Sequence, residues 1–503
     1  MSKAMSERPE ERGVRTPTSD WDFCSIASLS KALRSRQISP SELLQHVIAR
    51  IEALDQRLNA VVVRDFDRAR AAAKDCEIAL ARDDPRPLLG IPVTLKEPFN
   101  VAGLPTTWGF PQFKDYIPTD DALVVSRLRE AGAIIIGKTN IPQALRDFQS
   151  YNDIYGTTRN PWDINRSPGG SSGGSAASLA AGFETLSIGS DIGGSVRMPA
   201  HFCGICAHKS SLSLIPLRGY NLPPAPSVPA SGDLAVAGPM ARYASDLGVA
   251  IDVIAGADPW RDGIGYRLDL PPPRHDDLKE FRILIVDTHP LMPTSGAVRT
   301  AVAGLAERLS KLGTRVSCNS ALLPSLAESA RLYMKLLNAA KSPRVAPDAF
   351  VDDRRLAETF SSDDDSLQAE RTRGTAISHR DWLVTDARRL QMQHQWRAFF
   401  QEWDVVIYPA AAVPAFPHDH SEPIEARWLD IDGKAFPYYD ACFIWADPAS
   451  TFGLPASVVP IGNSPAGLPI GVQIVGSYLE DRTTIAFAEL LEREFGGFAP
   501  PPM

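Results

Sequence analysis

Residues 166–199 read RSPGGSSGGSAASLAAGFETLSIGSDIGGSVRMP, a segment in which glycine and serine are far more frequent than in the chain as a whole. Two loops within it each place a serine beside glycines: Ser171 in GGSSGG and Ser195 in DIGGS. Glycine allows the backbone of such a loop to approach a ligand closely. Between the loops, residues 175–183 are small and apolar and predict a tightly buried helix. The segment therefore predicts two loops that present hydroxyl groups on either side of that helix.

The sequence around this segment alternates between helical and strand patterns. Apolar residues recur at helical spacing over residues 25–58, 65–82 and 122–131. Two apolar runs, residues 88–96 and 133–136, predict strands. This alternation predicts an α/β fold with a large mixed, mostly parallel twisted sheet that helices cover on both faces.

We expect one large domain, because the 503 residues contain no long linker rich in proline, glycine or serine. The domain spans residues 19–503 and follows a polar segment, residues 1–18, which we expect to be disordered. Residues 258–422 are more charged and more helical than the rest. We interpret them as a variable region that defines the substrate, and their contribution to the pocket stays open.

The composition excludes several classes of partner. A formal net charge of -8, with both signs well mixed, gives no reason to expect nucleic acid or an anionic membrane. No apolar run approaches the length of about 18 residues that a membrane helix needs. Six cysteines are too few for a disulfide scaffold in a chain of this size. We therefore expect a cytoplasmic enzyme that acts on a small molecule, with no cofactor and no metal.

The predicted strand over residues 88–96 ends on a lysine, and a charge at the end of an apolar strand needs partners. The neutral amine of Lys96 can accept a proton from a serine hydroxyl. An ordinary lysine has a pKa of about 10.4, so this role near neutral pH requires burial to lower the pKa to about 7. The backbone amides just before Ser195 can turn toward one point and form an oxyanion hole. These residue types favour nucleophilic catalysis by serine with lysine as the base.

Several single motifs point to other functions but lack the context that each requires. Residues 169–173 match the G-x-S-x-G elbow of α/β-hydrolases, yet no strand precedes them. Residues 132–139 match the P-loop pattern, but their middle is an apolar strand and Pro142 follows where a helix should begin. Cys203 and Cys206 lack a second cysteine pair at zinc spacing and favour buried structural thiols. A histidine triad in space, phosphate binding by the glycines and two ordinary surface turns stay open at this point.

Four segments in consistent order resemble the amidase signature family: GIPVTLKEPFNVAGLPTTWG, RNPWD, GGSSGGSAA and DIGGSVRMPAHFCGIC. The intervals also agree, with 75 residues from Lys96 to Ser171 and 24 from Ser171 to Ser195. The resemblance implies a Ser-cisSer-Lys triad. In that triad Ser195 is the nucleophile, Ser171 is the bridging serine preceded by a cis peptide, and Lys96 is the base.

The resemblance also implies the surroundings of the triad. The oxyanion amides fall on Ile192, Gly193 and Gly194, while Asp191, Arg197 and Gly170 support the loops. Where many family members carry a segment such as Gly-Leu-Lys-Pro-Thr, this chain has AHKSS at residues 207–211, and its effect on specificity stays open. Candidate pocket residues are Leu145, Phe148 and an aromatic cluster of Tyr438, Tyr439, Phe443 and Trp445, and ordinary core packing suits each of them equally well.

The implied function is hydrolysis of the C–N bond of a small apolar or aryl amide through a serine acyl-enzyme, with water as the second substrate. One alternative is the A-type subunit of a glutamyl-tRNA amidotransferase, which passes ammonia to a tRNA-bound substrate and needs partner subunits. A carbamate, urea or ester hydrolase of the same fold is another, and a binding protein without turnover is a third. The preferred substrate and the oligomeric state, a homodimer included, stay open.

Overall fold

The computed structural model describes residues 21–229 and 232–503. The segment 1–18, for which the sequence predicts disorder, lies outside the described residues.

Most strands of the described residues belong to one sheet of eleven strands, in the order β1-β3-β2-β6-β8-β7-β14-β15-β11-β9-β10. Two hairpins, β4 with β5 and β12 with β13, lie apart from it. The strands are β1 (Val61–Arg64), β2 (Pro92–Lys96), β3 (Ile134–Thr139), β4 (Tyr151–Asn152), β5 (Gly156–Thr157), β6 (Leu186–Asp191), β7 (Cys206–Lys209), β8 (Val236–Ala241), β9 (Arg282–Ile285), β10 (Arg315–Ser317), β11 (Val405–Pro409), β12 (Trp428–Ile431), β13 (Lys434–Pro437), β14 (Ala456–Asn463) and β15 (Pro469–Val475).

The predicted large mixed sheet is confirmed, and its parallel pairs fall into two groups. β2 is parallel to β3 and to β6, and β9 is parallel to β10 and to β11. The other six neighbouring pairs are antiparallel. Antiparallel pairing is thus more extensive than the sequence predicts, because β8 returns between β6 and β7 and because β14 and β15 form a hairpin.

Helices surround the sheet. They are α1 (Ile26–Arg34), α2 (Pro40–Leu58), α3 (Phe66–Leu80), α4 (Leu123–Glu130), α5 (Gly173–Ala180), α6 (Arg197–Cys203), α7 (Ala244–Ile254), α8 (Gly296–Lys311), α9 (Leu326–Lys341), α10 (Pro347–Thr359), α11 (Leu367–Thr375), α12 (His379–Glu402), α13 (Tyr438–Phe443), α14 (Asp447–Thr451) and α15 (Asp481–Phe495).

The predicted cover of helices on both faces is also confirmed. Apolar residues of α1, α4, α7, α8 and α15 join the core on one face. Residues of α2, α3, α5, α6, α9 and α12 form the cores on the other. Side chains alternate along a strand. Val93 and Leu95 of β2 therefore enter the core on the first face, whereas Thr94 and Lys96 point to the opposite face of the sheet. The predicted strand therefore delivers Lys96 to the face on which the two serine loops lie.

Candidate active site

Lys96 and Asp191 occupy the ends of two adjacent strands. β2 ends at Lys96 and β6 ends at Asp191, and the two strands are parallel neighbours, with Leu95 opposite Ile188. The carboxyl ends of parallel neighbours meet at the same edge of a sheet, where ligand sites of α/β proteins commonly form. The loop that follows β6 carries Ser195 and leads into α6.

Lys96 is completely buried and hydrogen-bonded on two sides. Its Nζ lies within hydrogen-bond distance of Ser171 Oγ at 2.7 Å, of Ser190 Oγ at 2.9 Å and of the Ser190 carbonyl at 3.2 Å. Its side chain has 0 % exposure. Burial lowers the pKa of Lys96 well below its usual 10.5, against the opposing effect of the Asp191 carboxylate. The amine is therefore suited to accept a proton.

Ser171 is held by tightly packed backbone. The Gly170–Ser171 peptide bond is cis, and Ser171 is 1 % exposed. A Cβ on Gly170 would collide with the Asp147 carbonyl and with the backbone of Phe148. Only glycine fits there, since the neighbouring atoms are backbone atoms that cannot move aside.

The loop that carries Ser195 is fixed by a buried ion pair. The guanidinium of Arg197 donates to both carboxylate oxygens of Asp191, at 2.9 and 3.1 Å. The amides of Gly194 and Val196 donate to the same carboxylate, at 2.8 and 3.1 Å. Burial acts in the opposite direction, but Arg197 and these amides lower the pKa of Asp191 to about 2. Asp191 thus stays ionised and orders the turn before and after Ser195.

The predicted oxyanion amides are not equivalent. Gly194 has a φ of +96° and its amide donates to Asp191, so this amide supports the loop. On the other side of the turn, the Tyr333 hydroxyl donates to the Ile192 carbonyl at 3.0 Å. A Cβ on Gly193 would collide with the Phe443 ring and with the Tyr333 hydroxyl. The loop is therefore packed from both sides. The backbone amides that donate to Asp191 are those of Gly194 and Val196, and not those of Ile192 and Gly193.

Ser171 and Ser195 line the same cavity. Leu145 and Phe148, two of the candidate pocket residues, belong to its lining. Ala144 and Leu145 hold left-handed conformations, with φ of 55° and 60°. The remaining lining residues are Arg146, Asp147, Ser190, Asp191, Ile192, Tyr220, Ala235, Leu337, Lys341, Arg344 and Phe443.

Tyr438 and Trp445, two of the candidate pocket residues, lie outside the lining of this cavity. Both rings are buried, with exposures of 2 % and 1 %, and neither belongs to the cavity lining. The Tyr438 hydroxyl donates to Asp147 at 2.7 Å, and Trp445 Nε1 donates to Thr294 at 2.8 Å. Phe443, which lies between them in the sequence and belongs to the same aromatic cluster, faces the cavity in their place.

Comparison with known proteins decides the family. A family model described as Amidase matches residues 42–485, which is most of the chain. The chain belongs to the amidase signature family. Hydrolysis of amides is the activity of this family, and the chain is an amidase-family hydrolase.

Several known proteins are similar to this amidase over almost the full length of the chain. The A-type subunit of the glutamyl-tRNA(Gln) amidotransferase from Roseiflexus sp. (strain RS-1) is 31 % identical and covers 93 % of this chain and 96 % of its own. Fatty-acid amide hydrolase 2-A of Danio rerio is 30 % identical over 95 % of this chain and 90 % of its own. A solved structure, described as a vestigial complex that reveals the origins of an s-triazine catabolic enzyme, has a TM-score of 0.78 and 27 % identity, covering 93 % of this chain and 98 % of that one.

Sequence reasoning missed two polar residues beside the lysine of this amidase. Ser190, the penultimate residue of β6, bonds Lys96, and its hydroxyl shares a 2.7 Å hydrogen bond with the Tyr220 hydroxyl. Ser190 precedes the DIGGS motif directly, which is the only signal that could have identified it. Tyr220 lies in a proline-rich stretch and carries no motif.

One histidine of the chain does lie in a triad-like array, but the array is buried away from the cavity. His208 lies between Ser457 and Asp481, at 2.9 Å from each, in the order of a Ser–His–Asp array. All three residues have 0 % exposure, and none lines the cavity of this amidase. The array therefore cannot receive a substrate and stabilises the core instead. Segment 207–211, where the chain departs from many family members, lies in this buried region.

The cysteine pair of the C-x-x-C motif is also buried. Cys203 and Cys206 are buried free thiols, and burial raises the pKa of each. Within residues 21–229 and 232–503, no group of three or more histidine, cysteine, aspartate or glutamate side chains could hold a metal ion. Among the same residues, no helix is both long enough and apolar enough to cross a membrane.

Proposed function

We propose that this amidase hydrolyses the C–N bond of a small apolar or aryl amide, with Ser195 as nucleophile, Ser171 as proton relay and Lys96 as base. The observation that carries the proposal is the 2.7 Å distance between the fully buried Lys96 amine and Ser171 Oγ. Ser171 and Ser195 both line the cavity. Lys138 is equally buried, but Lys96 differs from it because its amine contacts a serine of the cavity lining, where a lysine with a lowered pKa is a candidate base.

The reaction begins when Ser195 Oγ attacks the amide carbonyl carbon. Its proton passes to Ser171 Oγ, and the Ser171 proton passes to the neutral Lys96 amine. Collapse of the tetrahedral intermediate breaks the C–N bond, and the proton returns from Lys96 through Ser171 to the leaving amine. Water then attacks the acyl-enzyme, using the same relay in the same order, and releases the acid and free Ser195.

The negative charge on the carbonyl oxygen needs donors that are fixed before the reaction starts. We assign this role to the amides of Ile192 and Gly193. The Gly194 amide, which the family pattern also suggests, donates to Asp191 and acts as a support. Asp191 and Arg197 are positioning residues in this proposal, since they hold the loop through hydrogen bonds on both sides of Ser195.

The character of the substrate follows from the cavity walls. Leu145, Phe148, Ile192, Leu337 and Phe443 present aliphatic and aromatic surface to the space beside Ser195. Such a lining favours an apolar or aryl group next to the scissile amide.

Turnover by the purified chain tests this proposal. We expect hydrolysis of simple anilides by the chain alone, measured by release of the aromatic amine. Ser195→Ala is expected to abolish the release while the far-ultraviolet circular dichroism spectrum stays native. Undiminished release by Ser195→Ala would refute the assignment of the nucleophile.

A second candidate is an A-type subunit of a glutamyl-tRNA amidotransferase, because a relative of that name is 31 % identical over 93 % of this chain. The discriminating assay compares glutamine with simple anilides. Efficient release of ammonia from glutamine, together with no release of aniline, would favour the amidotransferase. Anilide hydrolysis without glutamine hydrolysis favours the amidase proposed first.

A further inference from the structure

Two cationic side chains line the cavity and form no ion pair with the residues that the structure describes. Lys341 is the last residue of α9, and Arg344 follows three residues later. Both line the cavity that contains Ser195. In the part of the chain that the structure describes, no carboxylate oxygen lies within 4.0 Å of either cationic group. Lys341 Nζ donates to the Tyr439 hydroxyl at 3.1 Å, which leaves its charge uncompensated.

The acidic residues of the cavity are already neutralised by other cations. Asp191 pairs with Arg197 at 2.9 Å. Asp147 pairs with Arg427 at 2.6 Å and accepts a hydrogen bond from Tyr438. Neither carboxylate is therefore left to offset the two cations. A third cation in the lining, Arg146, has only an exposed partner, Glu425, at 3.4 Å. The cavity accordingly carries a net positive charge.

Lys341 is linked by packing to the loop that precedes Ser195. Its ammonium lies 5.8 Å from the centroid of the Phe443 ring. The same ring packs directly on Gly193, where it leaves no room for a Cβ. One aromatic ring therefore separates Lys341 from the loop that precedes Ser195.

Arg344 is linked by packing to the proton relay. Its guanidinium lies 4.9 Å from the Trp108 ring centroid, and Trp108 packs on Tyr220 at 5.0 Å. Tyr220 bonds Ser190, which bonds Lys96. Trp108 is itself fixed, because its amide donates to Glu97 at 3.0 Å. Both cations therefore line the cavity that contains Ser195, and each contacts a ring that packs toward the catalytic residues.

We propose that the substrate is an amide bearing a carboxylate, which Lys341 and Arg344 bind while an apolar spacer rests on Leu145, Phe148 and Leu337. This inference rests on the proposed function and specifies its substrate class. Unpaired cations beside an apolar wall match a ligand with an anionic end and an apolar middle, since hydrogen bonds between ionised partners are the stronger kind. A wholly neutral amide would leave Lys341 with the Tyr439 hydroxyl and nearby rings, and the exposed Arg344 with solvent and the Trp108 ring, as their partners.

Matched substrate pairs test the inference with the full chain. One pair carries the charge on the acyl side, glutaryl against pentanoyl 4-nitroanilide. The other carries it on the amine side, pentanoyl 4-aminobenzoate against pentanoyl 4-toluidide. We expect the carboxylate member of at least one pair to have a kcat/KM at least about tenfold higher, through a lower KM. Added salt should raise that KM because it screens the charges.

Substitutions then assign the preference to the two residues. In Lys341→Met and Arg344→Gln, singly and combined, the ratio of kcat/KM between the paired substrates should fall toward one. Lys311→Met, at an exposed position on α8, is the matched control and should keep the native ratio. If the double variant does not fold, the effect of salt on the KM of the carboxylate substrate in the native chain still tests the inference.

The outcomes separate this inference from the proposed function. Hydrolysis of all the amides with equal or greater preference for the neutral members overturns the carboxylate inference and leaves amide hydrolysis intact. A carboxylate preference that survives in the double variant overturns the assignment to Lys341 and Arg344. Absence of hydrolysis for every member of both pairs contradicts the proposed hydrolysis of small amides itself.

Discussion

Lys96 Nζ lies 2.7 Å from Ser171 Oγ, in an environment where neither residue is more than 1 % exposed. This contact joins the end of a strand to a glycine-rich loop 75 residues further along the chain. Its chemical consequence depends on the protonation state of the amine, since only a neutral amine can accept the Ser171 proton. Replacement of Lys96 and the pH dependence of activity both report on the protonation state of this amine.

Replacing Lys96 removes the base without removing the nucleophile. For Lys96→Met, which preserves most of the side-chain volume, kcat is expected to fall by about 10²- to 10⁴-fold. The measurement is kcat for an anilide in protein whose folding is verified by circular dichroism. Lys138→Met is the matched control, because Lys138 is equally buried and lies on the neighbouring strand opposite Leu95, outside the cavity lining. It should lower stability yet retain kcat in the folded fraction, and a native kcat in Lys96→Met would contradict the role of the lysine.

The pH dependence of kcat/KM reports the same amine. Burial lowers the pKa of Lys96 well below 10.5, so the neutral, active form predominates above that lowered pKa. Activity is therefore expected to rise with pH through the lowered pKa and to reach a plateau before the ordinary lysine range. A profile measured from about pH 5 to about pH 10 should show this limb in the native chain and lose it in the residual activity of Lys96→Met. A limb centred near 10.5 would contradict a neutral base.

Asp191→Asn is expected to destabilise the chain strongly, because it leaves the buried Arg197 guanidinium without its counter-charge. The expected loss in the free energy of unfolding is about 3 to 5 kcal/mol. The pKa of Asp191 is lowered to about 2 from an ordinary value of 3.8. Its contribution is therefore present above about pH 4 and is lost as the pH falls toward about 2. Urea unfolding of both proteins at several pH values should show a difference that is constant near neutrality and shrinks in acid.

A control ion pair distinguishes this effect from a general effect of charge. Asp67→Asn removes the exposed pair with Arg70 and is expected to leave the urea midpoint unchanged. Equal midpoints for Asp191→Asn and the native chain would show that the ion pair does not order the loop.

Gly193→Ala is expected to reduce kcat sharply, because the new methyl group would collide with Phe443 and with the Tyr333 hydroxyl. The loop must then move, and its amides lose their aim at the developing oxyanion. Loss of an oxyanion donor costs about 10²- to 10³-fold in kcat. Gly304→Ala is the control, since a Cβ there meets no atom within 4 Å on α8, and it should retain kcat. Full activity of Gly193→Ala would contradict the close packing of this loop.

Much of the site could be predicted from the sequence, because its chemistry resides in short contiguous motifs. Lys96 ends an apolar strand, and Ser171 and Ser195 stand in glycine loops whose order and spacing match one family. The mixed fold is likewise indicated by alternating helical and strand patterns. What these features share is that each is encoded within about ten neighbouring residues.

Features set by distant packing could not be predicted. β8 contains Gly238 and Pro239, which weaken any strand signal, and it is stabilised by pairing with β6 and β7. The aromatic residues near α13 all suit either a core or a pocket, so their order in sequence could not show that Phe443 faces the cavity and Tyr438 does not. Lys341 and Arg344 belong to no motif, and only the fold reveals that both line the cavity and form no ion pair within residues 21–229 and 232–503.

We assign Ser195 as the nucleophile and Ser171 as its relay. Covalent labelling distinguishes these two roles, because only the nucleophile should form the adduct. The native chain is treated with a fluorophosphonate, which reacts with activated serine hydroxyls, and the adduct is located by peptide mass spectrometry. We expect a single adduct on Ser195 that forms with loss of anilide hydrolysis and fails to form in Lys96→Met. An adduct on Ser171, with Ser195 unmodified, would contradict it.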